Sequence, residues 1–123
     1  MEDQKRILSP SEQKALSAKQ KEEEKQSLSN KIIKLFDERL INGCYNFKYQ
    51  FENGRIYFFN SNWFDNQTYH HLDLYDFKSL LDSIKESYRE KGWIIKEEER
   101  KFNWFSRNIL LNQNYYILYF KSY

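Results

Sequence analysis

The chain has 123 residues, of which 20 are basic and 18 acidic, and it contains 10 Phe, 10 Tyr and 3 Trp but no Val. This length fits a single domain, and the near balance of charge excludes a strongly basic nucleic-acid clamp and an acidic DNA mimic in their simplest forms. The longest apolar run, residues 115–120, is too short for a membrane-spanning helix. The N-terminus lacks the apolar stretch of a secretory signal. The lone Cys44 cannot form an internal disulfide, so the sequence gives no sign of an oxidising compartment.

The distribution of aromatic residues divides the chain near residue 30. Residues 1–30 contain no aromatic side chain, and they carry six basic and six acidic residues. All Phe, Tyr and Trp residues follow, so the core is expected from the second part. We therefore predict a polar helical extension, residues 1–29, and an α+β domain, residues 30–123.

The polar extension carries clear helix signals. Ser9-Pro10-Ser11-Glu12 places Ser at the N-cap, Pro at the first helical position and Glu three residues after the cap. The composition that follows, rich in Ala, Leu, Lys, Gln and Glu, favours helix. Ser27-Leu28-Ser29-Asn30 predicts a break or a bend, because Ser and Asn compete for backbone hydrogen bonds. An apolar stripe over residues 32–41 then ends at Asn42-Gly43. The extension is either a solvated segment or a docking arm for a partner.

The first hairpin is predicted in full detail. Aromatic residues at 45, 47, 49 and 51 alternate with polar ones, which is the period of a strand. Asn53-Gly54 follows, a preferred two-residue hairpin turn. Counting outward from this turn gives the cross-strand pairs, namely Glu52 with Arg55, Phe51 with Ile56, Gln50 with Tyr57 and Tyr49 with Phe58.

A second helix is predicted to follow, with Asp73 and Asp76 at its start and Gly92 as its left-handed stop. Its apolar stripe recurs at spacings of three and four and consists of Phe77, Leu80, Leu81, Ile84 and Tyr88. Residues 93–102 read as a strand, and residues 103–108 as a loop or bent strand. Asn112-Gln113-Asn114 reads as a hairpin turn between residues 109–111 and 115–120. The last strand is apolar on both sides, so we expect it to be central or covered on its second face.

These elements predict an α+β fold with a repeated unit. Residues 30–60 and residues 76–120 each read as a helix, Gly, an aromatic residue and two strands. We expect the two α-β-β units to form one antiparallel sheet with the helices on one face.

Candidate catalytic chemistry is sparse. Neighbouring side chains of an extended chain point in opposite directions, so His70 and His71 are interpreted as loop or cap histidines, and no other Cys or His completes a tetrahedral metal site near them. Cys44 is interpreted as a buried structural thiol, since no positioned base accompanies it. We therefore expect no catalytic residue, no metal and no cofactor. A remote alternative is a metal-dependent nuclease, in which Glu99-Arg100-Lys101 would act with one of three upstream carboxylates, Asp73, Asp76 or Asp82.

The surface of the first hairpin is the predicted binding site. If Tyr49, Phe51, Ile56 and Phe58 face the helices, the other side presents Lys48, Gln50, Arg55, Tyr57 and Phe59. Rings flanked by cations can stack on unpaired bases, and they also anchor protein interfaces. The acidic run Glu97-Glu98-Glu99 weakens a continuous positive field. The sequence therefore favours a protein partner or a homo-oligomer, with single-stranded nucleic acid as the alternative.

A resemblance to small tailed-phage proteins covers roughly residues 28–98. A helix running into Gly43-Cys44-Tyr45, and a second one over residues 80–91 running into Gly92-Trp93-Ile94-Ile95, resembles their repeated pattern of helix, Gly, aromatic and strand after a charged N-terminal helix. The richness in Asn, Lys, Ile and Tyr fits an AT-rich coding genome. The resemblance implies a viral accessory or virion protein, located in the bacterial cytoplasm or in the virion and not in a membrane. Its partner would be a virion component or an inhibited host protein.

Overall fold

The computed structural model describes residues 7–52, 54–61, 63–64, 69–106 and 109–122, with the backbone alone for residues 52, 64, 102–106 and 109–113. Within these ranges the elements, in chain order, are α1 (Pro10–Ile41), β1 (Asn46–Glu52), β2 (Arg55–Phe58), a 3₁₀ turn (Phe59–Ser61), β3 (Trp63–Phe64), α2 (Leu74–Glu90), β4 (Trp93–Ser106) and β5 (Ile109–Ser122). The strands form one antiparallel sheet in the order β3-β2-β1-β5-β4. The predicted α+β class is confirmed.

Helix α1 begins at the predicted capping box. The backbone N–H of Glu12 donates to Ser9 Oγ at 3.2 Å, and the N–H of Ser9 donates to Glu12 Oε1 at 3.2 Å. The helix then continues through residues 27–30, so the break predicted there is wrong. Leu28, which the sequence assigned to the polar extension, is fully buried in the core. Burial of this side chain outweighs the local preference of Ser and Asn for non-helical hydrogen bonds. The division into two parts at residue 29 stays a prediction.

Helix α2 also has the predicted start and stop. Asp73 caps the helix by accepting from the N–H of Asp76 at 2.8 Å, and Asp76 accepts from the N–H of Asp73 at 3.0 Å. The helix ends before Gly92, whose φ of +104° is in the left-handed region that Gly adopts without strain. Phe77, Leu81, Ile84 and Tyr88 are buried and Leu80 is partly buried, as the apolar stripe predicted.

Both helices pack on the same face of the sheet, which confirms the predicted layering. The Phe36 ring of α1 lies 4.5 Å from Phe47, 5.5 Å from Phe58 and 5.4 Å from Phe120, measured between centroids. From α2, the ring of Tyr88 contacts Phe120 at 5.5 Å. The two α-β-β units, α1-β1-β2 and α2-β4-β5, therefore share one aromatic core. None of the described helices is both long and apolar enough to cross a membrane.

The first hairpin has the register that the sequence predicted. β1 and β2 pair Glu52 with Arg55, Phe51 with Ile56, Gln50 with Tyr57 and Tyr49 with Phe58. Gly54 has a φ of +73°, while Asn53 lies outside the described residues. Beyond β2, the side chain of Asn60 extends the ladder. It accepts from the N–H of Lys48 at 2.9 Å and donates to the carbonyl of Asn46 at 2.9 Å.

The second hairpin differs from the sequence prediction. β4 and β5 pair continuously from Trp93 with Ser122 to Ser106 with Ile109, so the turn predicted at residues 112–114 is wrong. Those residues lie within β5, opposite residues 101–103, and residues 103–106 are strand as well. β5 lies between β1 and β4, which confirms the prediction of a central strand.

Candidate binding face

The face of the sheet opposite the helices carries all five predicted binding residues. On β1, β2 and β5 the alternate residues Phe47, Ile56 and Leu118 are buried in the core, so their strand neighbours point the other way. No described helix lies on this side. We call it the open face and define it by its described side chains Asn46, Lys48, Gln50, Arg55, Tyr57, Phe59, Ile94, Lys96, Glu98, Arg100, Tyr115, Ile117, Tyr119 and Lys121.

Three aromatic rings form a row on the open face. Tyr57 of β2 stacks on Phe59 at 6.2 Å with an interplanar angle of 18°, and Phe59 meets Tyr115 of β5 edge-on at 5.5 Å. β1 separates β2 from β5, so this row lies across β1. Tyr57 remains 39% exposed, and the other two rings are half-buried. The row therefore keeps aromatic surface accessible to a ligand.

The centre of the open face is closely packed. Ile117 lies opposite Lys48 of β1 and Glu98 of β4, yet it is only 2% exposed. Because no described helix covers this side, the neighbouring side chains of the face itself exclude water from Ile117. The centre of the open face is therefore a packed surface on which the neighbouring side chains rest.

The charges on the open face are predominantly positive. Its described cations are Lys48, Arg55, Lys96, Arg100 and Lys121. Its one described carboxylate is Glu98, which binds Arg100 at 3.1 Å and accepts from the Tyr119 hydroxyl at 2.8 Å. These two hydrogen bonds hold the pKa of Glu98 below its ordinary value. A negative charge at Glu98 is therefore already matched within the face.

The acidic run that the sequence treated as one patch is divided between the two faces. Alternation along β4 places Glu97 and Glu99 on the opposite side from Glu98. Glu97 accepts from Lys85 Nζ at 2.9 Å and from the Tyr49 hydroxyl at 2.6 Å, on the side that the helices cover. The period-two alternation of a strand could have revealed this division from the sequence.

Lys85 is a buried charge that the sequence reasoning missed. Only 6% of the residue is exposed, and its ammonium lies 2.9 Å from Asp82 Oδ1 and 2.9 Å from Glu97 Oε2. Burial alone would lower the pKa of Lys85, but the hydrogen bonds to the two carboxylates outweigh it and raise the pKa. Burial, reinforced by Glu97, likewise raises the pKa of the Tyr49 hydroxyl. This network joins α2 to β4 and β1.

The residues considered for metal binding or nucleophilic chemistry are dispersed. The His71 ring pairs with Glu24, and the backbone N–H of His71 donates to Glu24 Oε1 at 3.2 Å, while His70 is exposed. The upstream carboxylates that a metal-dependent nuclease would need are engaged in helix caps and ion pairs, since Asp76 binds Lys21 and Asp82 binds Lys85. Across the described ranges, no group of three or more His, Cys, Asp and Glu residues could hold a metal ion.

Cys44 is exposed, so the prediction of a buried thiol is wrong. The reason is local geometry. α1 ends at Ile41 and β1 begins at Asn46, which leaves Cys44 in the connecting segment rather than on a core-facing strand position.

From Lys21 onward, α1 is bound to its own domain. Lys21 Nζ lies 3.1 Å from Asp76 Oδ1, Glu24 binds His71, and Lys31 Nζ donates to the Tyr69 hydroxyl at 3.3 Å. Burial would raise the pKa of Asp76, but the Asp73 N–H and Lys21 outweigh it and lower the pKa. Residues 10–20 are almost all exposed, so a docking arm would be confined to these first turns.

Comparison of the chain with protein-family models, with curated proteins and with solved structures gave no match.

Proposed function

We propose that the chain is a non-enzymatic protein that binds a macromolecular partner through the open face. The observation that supports this proposal is the row formed by Tyr57, Phe59 and Tyr115, set among cations on a sheet surface that no described helix covers. Accessible aromatic rings with nearby cations are the side chains that supply most of the energy of macromolecular interfaces. The exposed first turns of α1, around Leu16, are the proposed second contact.

The biological setting belongs to the same proposal. The repeated pattern of helix, Gly, aromatic and strand resembles small tailed-phage proteins, and we propose an accessory or virion protein acting in a bacterial cell or in the virion. The sequence favoured a virion component or an inhibited host protein as the partner. The face residues proposed to make the contact are Lys48, Gln50, Arg55, Tyr57 and Phe59.

The test compares capture of partners from a lysate of the native source by three tagged full-length chains. These are the wild type, the double variant Tyr57→Ser/Phe59→Ser, and the control Tyr75→Ser. Tyr75 is 77% exposed on α2, away from the open face, so it matches the loss of an accessible tyrosine. We expect a partner that the wild type and the control retain and the double variant loses. Equal capture by all three folded proteins would exclude the open face as the binding site.

A further inference from the structure

We infer that the partner of the open face is a single-stranded nucleic acid. This inference rests on the proposed function, because it names the occupant of the same surface. It reverses the order of preference that the sequence suggested. That order rested on the near balance of charge and on the acidic run at residues 97–99, and the structure places Glu97 and Glu99 of this run on the other face.

The charge of the open face is complementary to that of a polyanion. Five described cations lie on the face; Arg55 lies opposite Glu52 in the β1–β2 register, and the carboxylate of Glu98 is matched by Arg100 and Tyr119. Glu97 is turned to the helix-covered side, where it binds Lys85. The chain as a whole carries a net charge of only +2. Positive charge is thus concentrated on one side of the sheet, as binding of a polyanion requires.

The rings of the open face are arranged so that unpaired bases could stack on them. Successive ring centroids in the row of Tyr57, Phe59 and Tyr115 are 6.2 and 5.5 Å apart, and the row lies on the open face of the sheet. Unpaired bases can stack on such rings because every base has an accessible π-face. A duplex keeps its bases stacked internally, so it cannot offer their faces to these rings. The rings therefore favour single strands over duplexes.

The lysines of the open face are spread along the sheet from the rings. Lys48 lies on β1, which the row crosses, while Lys96 of β4 and Lys121 of β5 lie towards the other end of the face. Lys121 is six residues from Tyr115 along β5, so a strand of several nucleotides would extend from the rings to these ammonium groups. A row of rings beside separate cations is the arrangement found in sequence-tolerant single-strand binders.

The test measures binding of a fluorescent oligothymidylate and an oligouridylate, each of about 12 nucleotides, to the full-length chain by anisotropy. We expect micromolar binding at low salt. If Lys48, Lys96 and Lys121 each neutralise one phosphate, the slope of log K against log salt will be about −2, at about 0.7 per phosphate. A duplex of the same length should bind more weakly. A preference for either oligonucleotide supports the inference and distinguishes DNA from RNA.

The variants separate stacking from charge. Tyr57→Ser should weaken binding roughly ten- to a hundredfold. Tyr57→Leu removes the ring but keeps apolar bulk on β2, so it should weaken binding by a similar factor, and it provides the test if the Ser variant does not fold. Lys96→Gln with Lys121→Gln should make the salt dependence shallower. Tyr75→Ser and Lys34→Gln, both exposed on the helices and outside the proposed contacts, are the matched controls and should bind as the wild type does.

The outcomes distinguish this inference from the proposed function. Binding that is equal for duplex and single strand and insensitive to Tyr57 would reflect general charge attraction and would overturn the inference. Absence of oligonucleotide binding, together with nuclease-resistant capture of a protein that Tyr57→Ser/Phe59→Ser abolishes, would overturn the inference and leave the proposed function intact. If the chain neither binds oligonucleotides nor captures a protein through the open face, the inference and the proposed function are both refuted.

Discussion

Lys85 of α2 and Glu97 of β4 form an ion pair of 2.9 Å on the helix-covered side of the sheet, and the same carboxylate accepts a hydrogen bond from Tyr49 of β1. The alternation of β4 places Glu97 on this side, away from the accessible rings. There its carboxylate matches the charge of Lys85, so this glutamate serves the helix-covered side of the sheet and not the open face.

Replacement of Glu97 should destabilise the fold. Glu97→Gln removes the charge that Lys85 and Tyr49 contact, and we expect the free energy of unfolding to fall by about 1–3 kcal/mol, because a buried ammonium loses one of its two carboxylates. Glu99→Gln, on the same side of the same strand, should change it by less than about 0.5 kcal/mol. Urea denaturation of both variants tests this, and equal effects would contradict a structural role for the ion pair.

Alkaline pH should destabilise the protein through buried hydroxyls. The pKa of Tyr49 is raised, first by burial and then by Glu97, so above about pH 10 the unfolded chain loses this proton while the folded chain keeps it. Stability from this group is therefore complete below pH 10 and is lost as pH rises, at up to about 1.4 kcal/mol per pH unit. Lys85 and Tyr88, whose pKa values are also raised, act in the same direction. Urea denaturation between pH 8 and 11 should show a shallower decline for Tyr49→Phe, and parallel curves would refute this assignment.

Leu28 should behave as a core residue although it lies in the polar part of the sequence. Leu28→Ala should lower the free energy of unfolding by about 2–5 kcal/mol, because the side chain is fully buried and its removal leaves a cavity. Leu16→Ala, in the same helix but 46% exposed, should change it by less than about 0.5 kcal/mol. Chemical denaturation of the pair is the measurement. Similar, small effects at both positions would mean that α1 is not docked at residue 28.

Asp76 should contribute stability that disappears in acid. Its carboxylate accepts from the Asp73 N–H and binds Lys21, and these contacts lower its pKa. A lowered pKa in the folded state stabilises the fold above the ordinary value near 4 and loses that contribution as pH falls through the folded value. Asp76→Asn should therefore cost about 1–2 kcal/mol at pH 7, and the difference from wild type should shrink as the pH falls below the ordinary carboxyl pKa near 4. A difference in the free energy of unfolding that stays constant at all pH values would instead indicate lost packing. Glu38→Gln, exposed on α1, is the control and should show little change at any pH.

The parts of the fold that could be predicted are those in which two local signals agree. At the first hairpin, the alternation of residues 45–51 and the turn residue Gly54 specify one register, and the structure has it. At α2, the capping aspartates and Gly92 bracket a stripe of constant spacing. In both places the local preference and the tertiary packing favour the same conformation.

The errors arose where a local signal conflicted with long-range pairing. Residues 112–114 have the composition of a turn, but pairing with residues 101–103 across a long hairpin keeps them extended. Ser27 and Asn30 discourage helix, but burial of Leu28 between them favours it. The role of Lys85 was missed for a related reason, because its two carboxylate partners include one from a different element.

The side chain of Asn60 is a position at which deamidation would alter the open face. Its amide completes the ladder beside the 3₁₀ turn that holds Phe59, by donating to the carbonyl of Asn46 and accepting from the N–H of Lys48. Deamidation to a carboxylate would keep the acceptor but remove the donor, and it would set a negative charge against the Asn46 carbonyl. Deamidation at this exposed residue would thus loosen the turn that holds Phe59, the middle ring of the row, while leaving the core beneath it unchanged.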